Sequence, residues 1–192
     1  MNEMKSQMMS QESGVRSHVK KARKQAAEWE ITGLNLQPGD LQEFMKEECA
    51  KFTVPQGKKL KFSFFPLAND LVIDFDRDML GQAVQILLNN SVMFSPTNCV
   101  IKVFVDKTPS GGTIRISDNG IGLPEEAKEH MFDPVVSDDD PGVCLSIVKD
   151  IVTAHGGTVT GDNNAGGGSV FTISLPLEHA EDVEEAVLME DE

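Results

Sequence analysis

A short acidic and glycine-containing stretch in the middle of the chain most constrains how it can fold. It reads Asp118-Asn119-Gly120-Ile121-Gly122-Leu123, after a β-rich run and before Pro124-Glu125-Glu126, which is typical of a helix start. A carboxylate at a strand end, followed by two alternate glycines, suits a site where backbone approaches a flat ligand and the acid accepts a hydrogen bond from it. The alternative is an ordinary Asp-Asn-Gly turn.

Strand and helix patterns surround this stretch on both sides. Alternating or β-rich runs predict strands at 30–36, 60–65, 71–75, 100–106, 113–117, 158–160 and 169–175, and apolar spacing predicts helices from about Asp40, at 76–94 and at 142–154. Pro38-Gly39 predicts a turn before the first helix, and Asp40 with Glu43 resembles a capping box. The expected fold class is α+β, a two-layer sandwich of a mixed sheet with helices on one face.

The two ends of the chain differ from this body, so we divide it into 1–29, 30–177 and 178–192. Met8, Val15, Ala22 and Trp29 are seven residues apart, which predicts an N-terminal helix that is either a dimerisation stem or a helix lying on its own domain. The last segment holds eight acidic and no basic residues. Helical spacing of its Ala180, Val183 and Val187 leaves a docking helix and a solvated tail equally open.

Charge and cysteine content restrict the partners and the compartment. The chain has 17 basic and 31 acidic residues and a formal charge of -14, which argues against binding to nucleic acid or to an anionic membrane. Its three cysteines form no CxxC pair, and no apolar run approaches the ~18 residues that span a bilayer. We therefore expect a cytoplasmic protein without direct membrane insertion.

The helix predicted at 76–94 carries a second candidate residue, Asn90, away from the face that holds Leu87 and Leu88. An amide oxygen there can be a ligand of Mg²⁺, which usually takes only a few protein oxygens when it bridges phosphates. The alternative is a surface or supporting residue.

Several sequence blocks occur in a characteristic order. They are the helix that carries Asn90, an alternating strand pair, Asp118-Asn119-Gly120-Ile121-Gly122, Met131-Phe132-Asp133-Pro134, the Gly142-started helix, Ala154-His155-Gly156-Gly157 and Gly166-Gly167-Gly168-Ser169-Val170-Phe171. From about Leu34 to Pro176, this series resembles the catalytic, ATP-binding domain of sensor histidine kinases, a branch of the GHKL ATPase superfamily with the Bergerat fold.

The resemblance implies roles for six residues and two cofactors, ATP and Mg²⁺. Asp118 would bind the adenine amino group, with Gly120 and Gly122 shaping its pocket. Asn90 matches the second Asn of the N box and would bind the metal. Gly142 and Leu145 match the second glycine box, which feeds the triphosphate onto a helix N-terminus.

The same resemblance exposes departures from the family's pattern. Ile86 replaces the first Asn of the N box, and Met93 replaces a basic residue. Ile86 also stands where GHKL hydrolases place a water-activating Glu, so hydrolysis by that route is not expected. The short lid between Phe132 and Gly142 holds three consecutive Asp residues, 138–140, and then Pro141, which predict weak phosphate binding.

Two hypotheses follow. The first is the catalytic domain of a two-component sensor kinase that binds Mg-ATP for transfer to a histidine not evident in this chain, with a phosphoacceptor helical hairpin and a response regulator as partners. Residues 1–29 would then be half of a dimerisation hairpin; His18 is on that helix but lacks the usual acidic neighbour. The second is a degenerate scaffold that dimerises or docks a kinase or regulator without using ATP. His155 is expected to cap a helix end.

Overall fold

The computed structural model describes residues 33–68, 70–133 and 145–177. The predicted N-terminal helix with His18, the acidic tail and the segment 134–144, which includes residues 138–140 and Gly142, lie outside the described residues. The proposed division of the chain at 29 and 177 therefore stays a prediction.

The described ranges contain seven strands and four helices. In chain order they are β1 (Gln37–Asp40), α1 (Leu41–Lys51), β2 (Lys59–Pro66), β3 (Val72–Phe75), α2 (Arg77–Met93), β4 (Asn98–Thr108), β5 (Gly111–Asp118), α3 (Glu125–Lys128), α4 (Leu145–Ala154), β6 (Thr158–Asn163) and β7 (Ser169–Pro176).

Five strands form the main sheet, in the order β2-β4-β5-β7-β6. The β2–β4 pair is parallel and the other pairs are antiparallel, so the sheet is mixed. Alternate residues of the three central strands β4, β5 and β7 are buried, as in Cys99, Ile101, Val103 and Val105 of β4. The buried faces of α1, α2 and α4 complete this single core, which confirms the predicted α+β sandwich.

Helix starts agree with the sequence. Asp40 caps α1, because its Oδ1 accepts hydrogen bonds from the backbone N–H of Gln42 at 2.8 Å and of Glu43 at 3.0 Å. Asp76 caps α2 in the same way, through the N–H groups of Asp78 and Met79.

The first strand was predicted in the wrong place. Residues 33–36 have no regular structure, and Pro38 and Gly39 lie inside β1 instead of forming a turn. Strand β1 pairs only with β3, in a separate two-stranded ribbon, so one of its edges needs no backbone donor and tolerates a proline. Gly39 packs under Phe75, whose ring would be 2.9 Å from a Cβ at that position.

Candidate functional site

Asp118 ends β5 with a carboxylate that is only 6% exposed and already holds several hydrogen bonds. Its Oδ1 accepts from the backbone N–H of Gly120 at 2.8 Å and of Ser169 at 3.1 Å. Its Oδ2 accepts from the hydroxyl of Ser169 at 2.6 Å. A carboxylate has about four acceptor sites, so about one remains, on Oδ2.

The loop after Asp118 is fixed at both ends. A Cβ at Gly120 would be 2.7 Å from the carbonyl oxygen of Phe94, and that oxygen accepts the N–H of Ile121 at 3.2 Å. Gly122 has φ +78°, a conformation that side chains disfavour. The amide of Asn163 then clamps Leu123, because it accepts from the Leu123 N–H and donates to the Leu123 carbonyl. The loop backbone is therefore held before any ligand arrives.

A second glycine segment, in the turn between β6 and β7, supports Asp118. Gly168 has φ +85°, and a Cβ there would be 2.1 Å from the Asp118 carbonyl oxygen. The side-chain N–H₂ of Asn164 donates to the carbonyl oxygens of Asp118 and Ser169 and to the Ser117 hydroxyl, at 2.7 to 3.1 Å. We call Asp118, Gly120, Asn164, Gly168 and Ser169 the Asp118 side of the site.

Sequence analysis missed the supporting residues Ser169, Asn163 and Asn164. The signal available was a group of polar side chains at both ends of the Gly166-Gly167-Gly168 run. Their targets lie 40 or more residues away in the chain, so only the folded sheet brings them to the Asp118 loop.

Helix α2 borders the same loop through its C-terminal end. Asn90 is 8% exposed, which excludes the surface position that was one alternative. Its backbone carbonyl accepts the N–H of Phe94, the residue that contacts Gly120 and Ile121. Among the described residues, the side-chain amide of Asn90 has no hydrogen-bond partner. Within the described residues nothing competes with a ligand for this amide, whereas Asp118 has about one acceptor site left.

Ile86 and Met93, which lie about one turn before and after Asn90 on α2, are apolar. Ile86 is half-buried and packs against the core, and Met93 is half-buried one turn after Asn89. We call Ile86, Asn90 and Met93 the Asn90 side of the site. In the described part of the chain no group of three His, Cys, Asp or Glu side chains is placed to hold a metal ion.

Buried Glu48 of α1 anchors helix α2 from behind. The side-chain amide of Gln85 donates to Glu48 Oε2 at 2.9 Å, and Lys51 Nζ pairs with Oε1 at 2.7 Å. Burial, with a smaller contribution from the Glu48 charge, raises the pKa of the neighbouring Cys49 thiol to about 12. Cys49 therefore stays a protonated thiol near neutral pH, so it is not a reactive nucleophile at the contact between α1 and α2.

His155 follows α4 and joins it to α2. Its ring is buried, Nδ1 donates to the carbonyl of Ile151 at 2.7 Å, and Nε2 accepts the backbone N–H of Asp76 at 3.0 Å. The first bond confirms the predicted capping role. The ring has no free nitrogen for chemistry.

Helix α3 is tied to β6 beside the Asp118 loop. Lys128 pairs with Asp162 at 2.9 Å and with Glu125 at 2.8 Å. The hydrogen bond from Lys128 lowers the pKa of the Asp162 carboxyl, and the bonds to Glu125 and Asp162 raise the pKa of Lys128. Glu125 and Asp162 are exposed to solvent and Lys128 is half-buried, so the contact orients α3 more than it stabilises the fold.

The last predicted site residues are at the start of α4. Leu145 is buried and begins this helix, where its side chain joins the core. Gly142 lies outside the described residues. The structure therefore brings together Asp118, Gly120 and Gly122 with the end of the helix that carries Asn90, and leaves Gly142 undescribed.

Residues 75–179 match the family model of histidine kinase-, DNA gyrase B- and HSP90-like ATPases. This range is more than half of the chain and contains the whole Asp118 side. The chain belongs to this family. It is a histidine kinase ATPase-type catalytic domain of the kind used in two-component signalling.

Individual relatives agree with the family assignment. The chain is 30% identical over 155 residues to sensor histidine kinase WalK of Bacillus subtilis, a match that covers 74% of this chain and 25% of WalK. The chain thus spans about a quarter of the length of that relative.

Solved structures of histidine kinases share the fold. The catalytic domain of histidine kinase ThkA superposes with a TM-score of 0.68 at 25% identity, covering 75% of this chain and 99% of that one. A structure of ThkA in complex with response regulator protein TrrA gives a TM-score of 0.72 at 24% identity, with coverage of 84% of this chain and 48% of that one.

The family binds ATP with Mg²⁺, and the two sides of the site fit these groups unequally. The Asp118 side offers a buried acceptor beside glycines whose backbone a flat base can approach. The Asn90 side offers one amide that has no hydrogen-bond partner among the described residues, between apolar Ile86 and Met93.

A further observation concerns membranes. No helix in the described residues is long and apolar enough to cross one.

Proposed function

We propose that this chain is the nucleotide-binding catalytic domain of a two-component sensor histidine kinase. It binds ATP with Mg²⁺ and presents the nucleotide to a phosphoacceptor histidine on a helical hairpin that is not evident in this chain. A response regulator receives the phosphoryl group in the next step. These partners are proposed by analogy with the relatives, one of which was crystallised with a response regulator.

One observation carries the proposal, the incompletely used carboxylate of Asp118. Three hydrogen bonds from Gly120 and Ser169 fix its two oxygens, and the remaining acceptor site of Oδ2 suits the exocyclic amine of adenine. A buried acceptor that is already oriented loses little entropy on binding. The charged acceptor also strengthens the hydrogen bond it makes.

The remaining predicted site residues take the other parts of the nucleotide. The Gly120 and Gly122 backbone would lie along the base, and the free amide of Asn90 would supply one oxygen to the magnesium ion. Gly142 and Leu145, at the start of the α4 region, would expose backbone N–H groups to the phosphates. ATP supplies the transferable phosphoryl group, and the chain's contribution is to bind and orient it.

Calorimetric titration of the whole chain with ADP and ATP, with and without Mg²⁺, tests this function. Asp118→Asn should weaken binding by about 10–100-fold, as expected for loss of a charged hydrogen bond in a buried site. Asp106→Asn is the matched control, because Asp106 is a half-buried Asp on neighbouring strand β4 away from the site. Equal affinities for both variants would refute the assignment of Asp118.

A second candidate function is a scaffold that docks a kinase or regulator without using ATP. The observation that favours it is Ile86, an apolar side chain packed against the core where the family's N box has a metal-binding Asn. Folded protein that releases no heat with millimolar nucleotide would support this candidate over the first.

A further inference from the structure

Within the described residues, one face of the main sheet has no helix packed on it, and we call it the open face. Strand alternation opposite the buried core residues places on it Lys59, Lys61, Ser63 and Phe65 of β2, Val100, Lys102, Phe104 and Asp106 of β4, and Thr113, Arg115 and Ser117 of β5. The register brings these rows side by side, with Ser63 opposite Lys102 and Phe104 opposite Arg115.

The open face carries an excess of positive charge on a strongly acidic protein. Lys59, Lys61, Lys102 and Arg115 are exposed, and none has an ion-pair partner within the part of the chain that the structure describes. The carboxylates on this side are Asp106, which is half-buried, and Asp162 of β6, which is already paired with Lys128. The four cations therefore favour an anionic partner.

Aromatic rings lie among these cations. Phe65 stacks on Phe104 with ring centroids 4.7 Å apart. The guanidinium carbon of Arg115 lies 5.2 Å from the centroid of the Phe104 ring. Phe65 is 38% exposed. The partner should therefore combine carboxylates with apolar side chains, because rings and cations alternate over a short distance.

The chain itself contains a segment with this composition. Residues 178–192 hold eight acidic and no basic residues, with Ala180, Val183 and Val187 between them. They follow β7 directly, and the N–H of Leu177 donates to the Ser110 carbonyl at the turn between β4 and β5. The segment thus starts at one end of the strands that form the open face.

The distances permit the contact. Arg115 lies five residues along β5 from Ser110, about 17 Å at the usual rise of a strand. Fifteen residues span about 22 Å as a helix, or up to about 50 Å when extended. The segment reaches Arg115 in either form and reaches Lys61 and Lys102 when extended.

We propose that residues 178–192 bind the open face of their own sheet. Their carboxylates pair with Lys59, Lys61, Lys102 and Arg115, and their apolar residues contact the Phe65–Phe104 stack. The acidic segment in this way covers the exposed aromatic rings and neutralises the four cations of the open face. This inference concerns the face opposite the nucleotide-site helices and does not depend on nucleotide binding.

Carbodiimide cross-linking of the whole chain at low concentration tests the proposal, because it joins lysine amines only to carboxylates in contact. Peptide mapping should find Lys61 and Lys102 linked to acidic residues of 178–192 about fivefold more often than Lys46, the ratio that a weak surface network produces. Lys46 is an exposed lysine on α1, on the opposite side of the sheet. The cross-links should disappear at 1 M salt, where charges are screened within about 3 Å.

A pair of variants excludes chance proximity. Arg115→Gln removes a cation that is not itself cross-linked, and it should lower the yield at Lys61 and Lys102, whereas Arg77→Gln, on α2, should leave it unchanged. Equal labelling of Lys46, or no effect of Arg115→Gln, would overturn the proposal. Cross-links between isotopically distinct copies in a mixed sample would assign the segment to a second chain and would also overturn it.

Discussion

The two sides of the candidate nucleotide site differ in how completely their polar groups are satisfied. On the Asp118 side, Ser169, Gly120 and Asn164 form hydrogen bonds to the carboxylate and to its backbone. On the Asn90 side, the Asn90 amide has no partner among the described residues, and Ile86 packs against the core.

The difference has a physical meaning. Buried polar groups that are already bonded specify one conformation, so the Asp118 side is organised before a ligand binds. The Asn90 amide has no such bond among the described residues, so its orientation is not fixed in advance. Changes on the first side should therefore damage the fold, whereas removal of the Asn90 amide should alter only binding.

The largest effect should come from Gly168→Ala. The new Cβ would lie 2.1 Å from the Asp118 carbonyl oxygen, at a φ of +85°. Overpacking and backbone strain together should lower the free energy of unfolding by about 3–5 kcal/mol, measured in urea. Gly166→Ala is the matched control, since nothing lies within 4 Å of its Cβ, and it should change stability by less than about 0.5 kcal/mol. Similar losses would remove the special role of Gly168.

Ser169→Ala should have the next largest effect. It removes the 2.6 Å bond to Asp118 Oδ2 and leaves that buried oxygen without a protein donor. The expected loss in urea unfolding is about 1–3 kcal/mol. Ser174→Ala, on the same strand but half-exposed, serves as control and should be close to neutral. An equal loss at both positions would mean that β7 packing, and not the carboxylate, is responsible.

Ile86→Asn should make the Asn90 side more polar, as the Asp118 side already is. It places a second amide one turn before Asn90, at a cost of about 1–2 kcal/mol in stability because Ile86 contacts the core. Calorimetry should show that Mg²⁺ increases ATP affinity more in this variant than in the parent chain. A magnesium effect of the same size in both would show that Ile86 is not what limits metal binding.

Asn90→Ala should have the smallest effect on the fold. It removes no hydrogen bond within the described structure, and Ala favours helices, so stability should stay within about 0.5 kcal/mol. Any loss should appear in nucleotide titration with Mg²⁺. Asn89→Ala, at an exposed neighbour that donates only to the Gln85 carbonyl, is the control and should leave the titration unchanged. A destabilised Asn90→Ala protein would contradict the contrast between the two sides.

Much of the fold was predictable because local signals and tertiary structure agree. Asp40 and Asp76 cap helices that the apolar spacing also predicts, and strands β2, β4, β5 and β7 follow from alternating or β-rich runs. The error at β1 arose because Pro38 and Gly39 are turn-forming residues in most contexts, whereas here a two-stranded ribbon and the Phe75 ring accommodate them.

Sequence order alone determined the α+β fold, the family resemblance and the candidates Asp118 and Asn90, because periodicity and motif spacing are properties of the chain. The tertiary structure decided how these candidates are held. Ser169, at the start of β7, and Asn164, in the turn before it, reach Asp118 from about 50 residues later in the chain. The burial of Asn90 depends on the packing of α2. Hydrogen bonds and burial of this kind arise only when distant segments meet, so no local pattern records them.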